Sequence, residues 1–412
     1  MDYMTEQDPF LLNYDFSKEV NFRDDIHLKG KIILPNIENP KKILLTAATG
    51  FIGSYLLKTL LLETNATIFC LTRSGNINEA FQRIKEKLVT HFDTTINLPD
   101  RIMPVIGDLS KPLLGLPPKQ FDYLAKEVDA IYHNGAISNS IASYQELKPV
   151  NVDGTHEVLL FASQHKIKPI YYISSFSVFL SVTSFVKPKH PSKLFDEDSS
   201  IDPGKGLIGG YTQSKWVAEK LVMSARKKGI PAVIFRLGRI TGDSVTGVSR
   251  TDDFFSKYLL GCIKLKHAPI TKEVIGLTPV DFVSQAISYL SRKVQFINQN
   301  FHITNPNTIT WEQMIEIINQ IGYPVKLVPF DDWIETLRKS KQNVLKQFLP
   351  AFSTTFLNNQ SLTEVLINGK RGDMFSCDKT KRALIDSNIF KFPENKTLIR
   401  KYIKHYLRDI RN

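Results

Sequence analysis

Residues 41–63, KKILLTAATGFIGSYLLKTLLLE, decide the fold. The opening KKILLTA (41–47) is a short apolar run behind two lysines, as expected of a strand buried on both faces. Ala47, Gly50 and Gly53 then fall at three-residue spacing, and FIGSYLLKTLLLE has helical patterning. A glycine turn between strand and helix lets backbone N–H groups approach a pyrophosphate, which gains further from the helix N-terminus. Such a turn also serves plain strand–helix packing, but its place between a predicted strand and a predicted helix favours dinucleotide binding. Ala47 stands where a first glycine is expected, and a methyl there is compatible with a negative φ.

The same alternation continues outward from this stretch. TIFCLT (67–72), RIMPVIGD (101–108), DAIYHNGA (129–136), PIYYISSFSVF (169–179) and PAVIFRLG (231–238) read as further buried strands. Helices are expected over EAFQRIKEKLVTHF (79–92), near 152–164 and over 211–228. Strands alternating with helices at this spacing imply βαβ units and an α/β, Rossmann-type doubly wound parallel sheet. Three regions follow: an N-terminal arm or linker (1–40), a dinucleotide-binding domain (41–250) and a smaller, mainly helical substrate-binding region (251–412). The last region includes TWEQMIEIINQIGY and DDWIETLRKSKQNVLKQF. Residues 187–210 carry Pro188, Pro191, Pro203, Gly204, Gly206, Gly209 and Gly210, a loop long enough for a lid or for a passive surface crossing. Phe352, Phe356 and Leu357 either line a pocket or fill a core.

The chain has 412 residues, 42% hydrophobic, with ordinary glycine and proline content, which excludes fibrous and low-complexity classes. The net charge is +12. With no zinc-ligand spacing, no basic heptad helix and no RNP-like strand, a nucleic-acid partner is not expected. The charge reads as a solvated basic surface or as steering toward an acidic partner. Cys70, Cys262 and Cys377 form neither a disulfide framework nor a metal site. The first ten residues, MDYMTEQDPF, lack the features of a signal peptide, and no apolar run spans a bilayer. A cytoplasmic protein without membrane or metal partners is expected, most simply a monomer.

The candidate chemistry lies at strand ends. After the second strand comes Thr72-Arg73-Ser74 in place of a ribose-binding acid. An arginine there suits the 2′-phosphate of NADP, or is a surface residue. Arg83 is a second phosphate or adenine contact or a solvated helix position, and Asp108-Leu109 is placed to flank the adenine. Tyr211 and Lys215, at i and i+4, share one helix face. A nearby ammonium is expected to lower the phenol's pKa and make it an acid–base group at a carbonyl oxygen. Ser174 and Ser175, ending the fifth strand, offer hydroxyls to the same oxygen.

Together these features resemble the extended short-chain dehydrogenase/reductase superfamily. ILLTAATGFIGSYLL, CLTRSG, IYHNGAISN, VNVDGTHEVL, YYISSFSVF, GGYTQSKWVAEKL, FRLGRITGDSVTG and TPVDFV resemble, in order, the blocks of thioester reductase domains. Those domains end some nonribosomal peptide synthetases and carboxylic acid reductases. The resemblance runs from about residue 41 to 290, and more weakly to 333. It implies NADPH as cofactor and an acyl or peptidyl carrier protein, with its phosphopantetheine arm, as partner. It implies Ser175, in a place usually held by threonine, with Tyr211 and Lys215 as the catalytic group, and Arg73 and Arg83 at the cofactor phosphate. By position it places Thr46, Ala48, Thr49, Gly50, Phe51, Ile52, Gly53, Asp108, Leu109, Asn134, Gly135, Ala136, Asn151, Ser174, Leu237 and Gly238 around the cofactor. Ala47 and Leu237, the latter where proline is frequent, depart from the pattern without removing a functional group. The implied activity is reductive release of a thioester as an aldehyde, with further reduction to an alcohol left open. A fatty acyl-CoA reductase and a non-catalytic dinucleotide-binding regulatory module are the alternatives; Thr72-Arg73 speaks against an epimerase.

Overall fold

In a computed structural model, the described residues are 14–28, 36–92, 100–139, 141–181, 195–201, 203–353, 355–357, 360–361 and 374–411. Six apolar runs form strands β1 (Lys42–Thr46), β2 (Thr67–Thr72), β3 (Ile102–Ile106), β4 (Ala130–His133), β5 (Ile170–Ser175) and β6 (Ala232–Leu237). Each is slightly shorter than or equal to its apolar stretch, because the flanking residues turn away to meet helices. A seventh strand, β7 (Asn300–Ile303), comes from the C-terminal region. The sheet order is β7-β6-β5-β4-β1-β2-β3, with all pairs parallel. The chain leaves β1 toward β2 on one side and later β4 on the other, so a crevice opens at the C-terminal ends of β1 and β4.

Helices α1 (Phe51–Glu63), α2 (Ile77–Phe92), α3 (Pro118–Glu127), α4 (Tyr144–Lys148), α5 (Gly154–Ser163) and α6 (Gly210–Lys227) cover the faces. Helices α7 (Phe254–Leu265), α8 (Val280–Ser291), α9 (Trp311–Gln320), α10 (Phe330–Lys339) and α11 (Asn395–Arg411) follow. Every side chain of α5 is buried, since the helix lies between the sheet and its neighbours. A π-helical turn over Pro149–Asp153, rather than an α-helix from 152, leads into it.

The region after 250 does not stand apart. β7 extends the main sheet, and α8 packs on α1, where Thr59 Oγ1 donates to Ser284 Oγ at 3.0 Å. A separate core of Trp311, Trp333, Tyr258 and Leu398 joins α7, α9, α10 and α11. Phe352 fills this core against Trp333, with ring centroids 5.3 Å apart; the side chains of Phe356 and Leu357 lie outside the described residues. The described part of the arm is likewise packed: Phe16 is fully buried against Tyr144, and Glu19 accepts from Tyr144 Oη at 3.0 Å and pairs with Lys148 at 2.8 Å. Among the described residues, no helix is long and apolar enough to cross a membrane and no cluster of His, Cys, Asp and Glu is arranged to hold a metal. All three cysteines are free and buried.

Candidate active site

The turn after β1 brings backbone against backbone. A Cβ on Gly53 would lie 1.9 Å from the Ala47 carbonyl oxygen, so only glycine fits there. Gly50 is the N-cap of α1 and offers no side-chain bond, which leaves the N–H groups of the first turn facing the crevice. Ala47 has φ +56°, not the negative value expected from its methyl. The turn needs the left-handed conformation at that point, and alanine adopts it under strain. Thr46, Ala48 and Gly135 are held beneath the turn. Thr46 Oγ1 accepts from Gly135 N at 2.8 Å and lies 3.1 Å from His133 Nδ1, whose ring burial pushes down to a pKa of about 3.

A second glycine pair places the helix of Tyr211. Gly209 has φ +82°, and a Cβ on Gly210 would lie within 2.5 Å of the backbone at Ala142, Ser143 and Tyr144. These two residues let α6 start hard against the loop before α4. Of the loop over 187–210, residues 187–194 and 202 lie outside the described residues. Its end is anchored: Trp216 Nε1 donates to Ile201 O at 2.5 Å, and Gln213 Nε2 to Leu207 O at 3.1 Å.

The two glycine turns and the end of β5 frame one cleft of about 510 Å³, lined more by apolar than polar groups. Of the sequence-derived set, Gly50, Phe51, Ile52, Asn134, Ala136, Ser174, Ser175, Tyr211, Lys215, Leu237 and Gly238 line it. Tyr211 is half-buried. Burial raises its phenol above the ordinary 10, opposed by the hydroxyls of Ser175 and Ser138 and by the charge of Arg250. The Lys215 ammonium is buried, donating to Tyr172 Oη at 2.7 Å and to Ile173 O at 2.8 Å, and burial brings it down to about 7 against the pull of Glu219. The lysine is thus held by Tyr172, and Arg250 is a further cation on the side of the phenol.

Ser175 Oγ, beside Tyr211, also accepts from Ser177 N at 3.1 Å. Ser174, its neighbour, also lines the cleft and donates its hydroxyl to Glu219 Oε2. Asn151 likewise serves the scaffold: Oδ1 accepts from Ile137 N at 2.8 Å and Nδ2 donates to Ser214 Oγ at 3.0 Å. It thereby ties the loop after β4 to α6. Arg73, just after β2, and Arg83, on α2, are exposed outside the cleft, and Arg83 Nη1 donates to the Arg73 carbonyl. The positive charge of Arg73 helps hold the Asp108 carboxyl below the usual range, together with bonds from Ser110 that outweigh its partial burial. Leu109 packs under Gly135 and Gly154. Thr49 and Gly53 shape the turn rather than line the cleft. Ser138, Tyr172 and Glu219 fall inside the quoted sequence blocks without an assigned role, and Arg250 lies outside them. Glu219 had one available signal, its spacing of one further turn beyond Lys215.

The residues present fit a dinucleotide. The uncapped start of α1 faces the crevice, the glycine turn leaves no side chain in the way, and a buried cation lines the same cleft.

Residues 45–287 match the model of the male sterility protein family. The chain is 40% identical over 300 residues to a linear gramicidin synthase subunit of Brevibacillus parabrevis, covering 73% of this chain and 6% of that protein. It is 30% identical over 313 residues to the L-2-aminoadipate reductase large subunit of Eremothecium gossypii, covering 73% of this chain and 22% of that protein. The chain thus spans a small part of the length of these relatives. The crystal structure of the terminal R domain from the myxalamid PKS-NRPS pathway superposes with a TM-score of 0.85 at 34% identity, over 96% of this chain and 97% of that one. The chain belongs to the male sterility protein family, among the terminal reductase domains of nonribosomal peptide synthetases.

Proposed function

We propose that the chain reduces an acyl or peptidyl thioester, held on the phosphopantetheine arm of a carrier protein, to an aldehyde. The observation that carries this reading is the meeting of Ser175, Tyr211 and Lys215 with the glycine turn on one cleft. NADPH, when bound, supplies the hydride. The Ser175 and Tyr211 hydroxyls bond the thioester oxygen and stabilise the charge that develops there. Tyr211 then gives its proton to that oxygen as the carbonyl carbon gains hydride. The product, a hemithioacetal, loses its C–S bond: the sulfur leaves with a proton as pantetheine thiol, and the carbonyl re-forms as aldehyde. Lys215, held by Tyr172 and Ile173 O, assists the proton transfer from Tyr211 when charged, because a nearby ammonium favours the phenolate that is left.

Arg73, exposed beside Arg83 at the end of β2, supports NADPH over NADH because a guanidinium meets a 2′-phosphate with two bonds. The relatives' position within synthetases and reductases supports a carrier-borne substrate. The net charge of +12 supports docking of an acidic carrier. The test is NADPH consumption with the same acyl group on a phosphopantetheinylated carrier protein and on coenzyme A. Faster turnover of the carrier-borne thioester supports the reading. Preference for the coenzyme A ester would favour an acyl-CoA reductase, and consumption of neither would overturn both.

A further inference from the structure

The acyl side of the cleft is closed by a residue from far along the chain. Phe176, next after Ser175, stacks on Phe375 with centroids 4.1 Å apart and planes 13° from parallel. Both rings line the cleft beside Tyr211, and Leu180, Phe254 and Phe255 continue the apolar wall. The charged groups on this side are already engaged: Arg250 pairs with Asp252, Arg239 pairs with Glu273 and sits over the Phe255 ring, and Asp253 caps α7 through Ser256. The Ser177 hydroxyl, which lines the same cleft, is buried without a partner and offers one neutral bond, so a charged chain would still lose its water with no opposite charge to meet it.

Backbone contacts hold Phe375 in place. Phe195 N donates to Met374 O at 2.7 Å, and Ser376 N donates to Phe195 O at 2.9 Å. His302 on β7 bonds Ser376 O through Nδ1 at 2.7 Å and sets its ring edge against Phe176, with centroids 4.8 Å apart. The Phe375 side chain can therefore change while its main chain stays anchored.

We propose that Phe375 sets the depth of the acyl end of the cleft and selects apolar acyl chains by length; this rests on the thioester reading above. The probes are non-reducible S-alkyl pantetheine thioethers bearing butyl, octyl and dodecyl chains, with affinities measured by calorimetry on the whole chain. Phe375→Ala is expected to raise the octyl-to-butyl affinity ratio by roughly tenfold or more, since a few methylenes in an apolar pocket carry that much discrimination. Phe375→Leu, which keeps apolar packing if the alanine variant folds poorly, shifts the ratio the same way but less. Phe375→Trp shifts it toward butyl. An unchanged ratio in all three variants, or no binding of any thioether to the wild type, overturns the proposal. The matching thioesters with NADPH separate the two ideas. Ratios that shift as stated, while no thioester is reduced, would leave the Phe375 wall standing and remove the thioester reading.

Discussion

Lys215→Met reads the electrostatics of the site directly. The wild-type ammonium is 3% exposed, and its pKa falls from 10.5 to about 7 because burial outweighs the attraction of Glu219. At about 1.4 kcal/mol for each factor of ten, holding that proton in the folded state costs about 5 kcal/mol. The pH dependence follows from which state binds the proton. Below about pH 7 both folded and unfolded chains carry it, and the full penalty applies. Between about 7 and 10.5 the unfolded chain keeps a proton that the folded chain has lost, so stability rises with pH by up to about 1.4 kcal/mol per pH unit. Methionine has no such slope. Urea unfolding of both proteins at several pH values from about 6 to 9 gives the difference, in which all other titrations cancel. Wild-type stability relative to Lys215→Met should be flat near pH 6 and climb by roughly 2–3 kcal/mol by pH 9. A difference that stays flat, or falls, would refute a buried low-pKa lysine.

The strained turn gives a second test. Left-handed φ costs a non-glycine residue about 1–2 kcal/mol, and glycine loses roughly 0.4–1 kcal/mol through its freer unfolded chain. Ala47→Gly should therefore stabilise the protein by up to about 1 kcal/mol, seen as a higher urea midpoint; a lower midpoint would contradict the strain. Arg73→Ala should raise KM for NADPH at least tenfold, with NADH little affected, as expected for loss of a charged bond of about 1.5–3 kcal/mol; steady-state kinetics with both cofactors decides. Glu219 and Arg236 are a fully buried pair, 2.8 Å apart, beneath Ser174. Glu219→Leu alone should cost about 3–5 kcal/mol in urea unfolding, and adding Arg236→Met should recover most of it. No recovery in the double variant would show that the pair acts through something other than its charge.

Much of the fold is legible in the sequence because β1, β2, β4, β5 and β6 are buried on both faces and so appear as nearly continuous apolar runs, while the edge strand β3 is partly exposed but still apolar in sequence. β7, NFHI, is four residues long with two polar members, and its identity as a strand comes from pairing with β6 and from Thr380 Oγ1, which accepts from His302 N. No local pattern carries that. In the site, Tyr211, Lys215 and Ser175 are legible from spacing and strand context. Their partners are not, since Tyr172, Ser138 and Arg250 meet them only through tertiary packing. The sign of φ at Ala47 is misjudged from sequence because side-chain preference is weighed without the approach of Gly53 to the Ala47 carbonyl. Ser174 lines the cleft with Ser175, but its hydroxyl is taken by Glu219, a contact made across the fold that no local pattern carries. Phe375 lies in a stretch without any motif, and only the folded chain brings it to Phe176.

The central claim is that Ser175, Tyr211 and Lys215 direct hydride from NADPH to a thioester carbon. It is tested most directly with NADPH deuterated at the transferred position, an acyl thioester, and mass spectrometry of the products. The account predicts free thiol, deuterium on the former carbonyl carbon, and at least a roughly 10²-fold loss of rate in Tyr211→Phe. Thiol released with an undeuterated acid, or an unimpaired Tyr211→Phe, would contradict it.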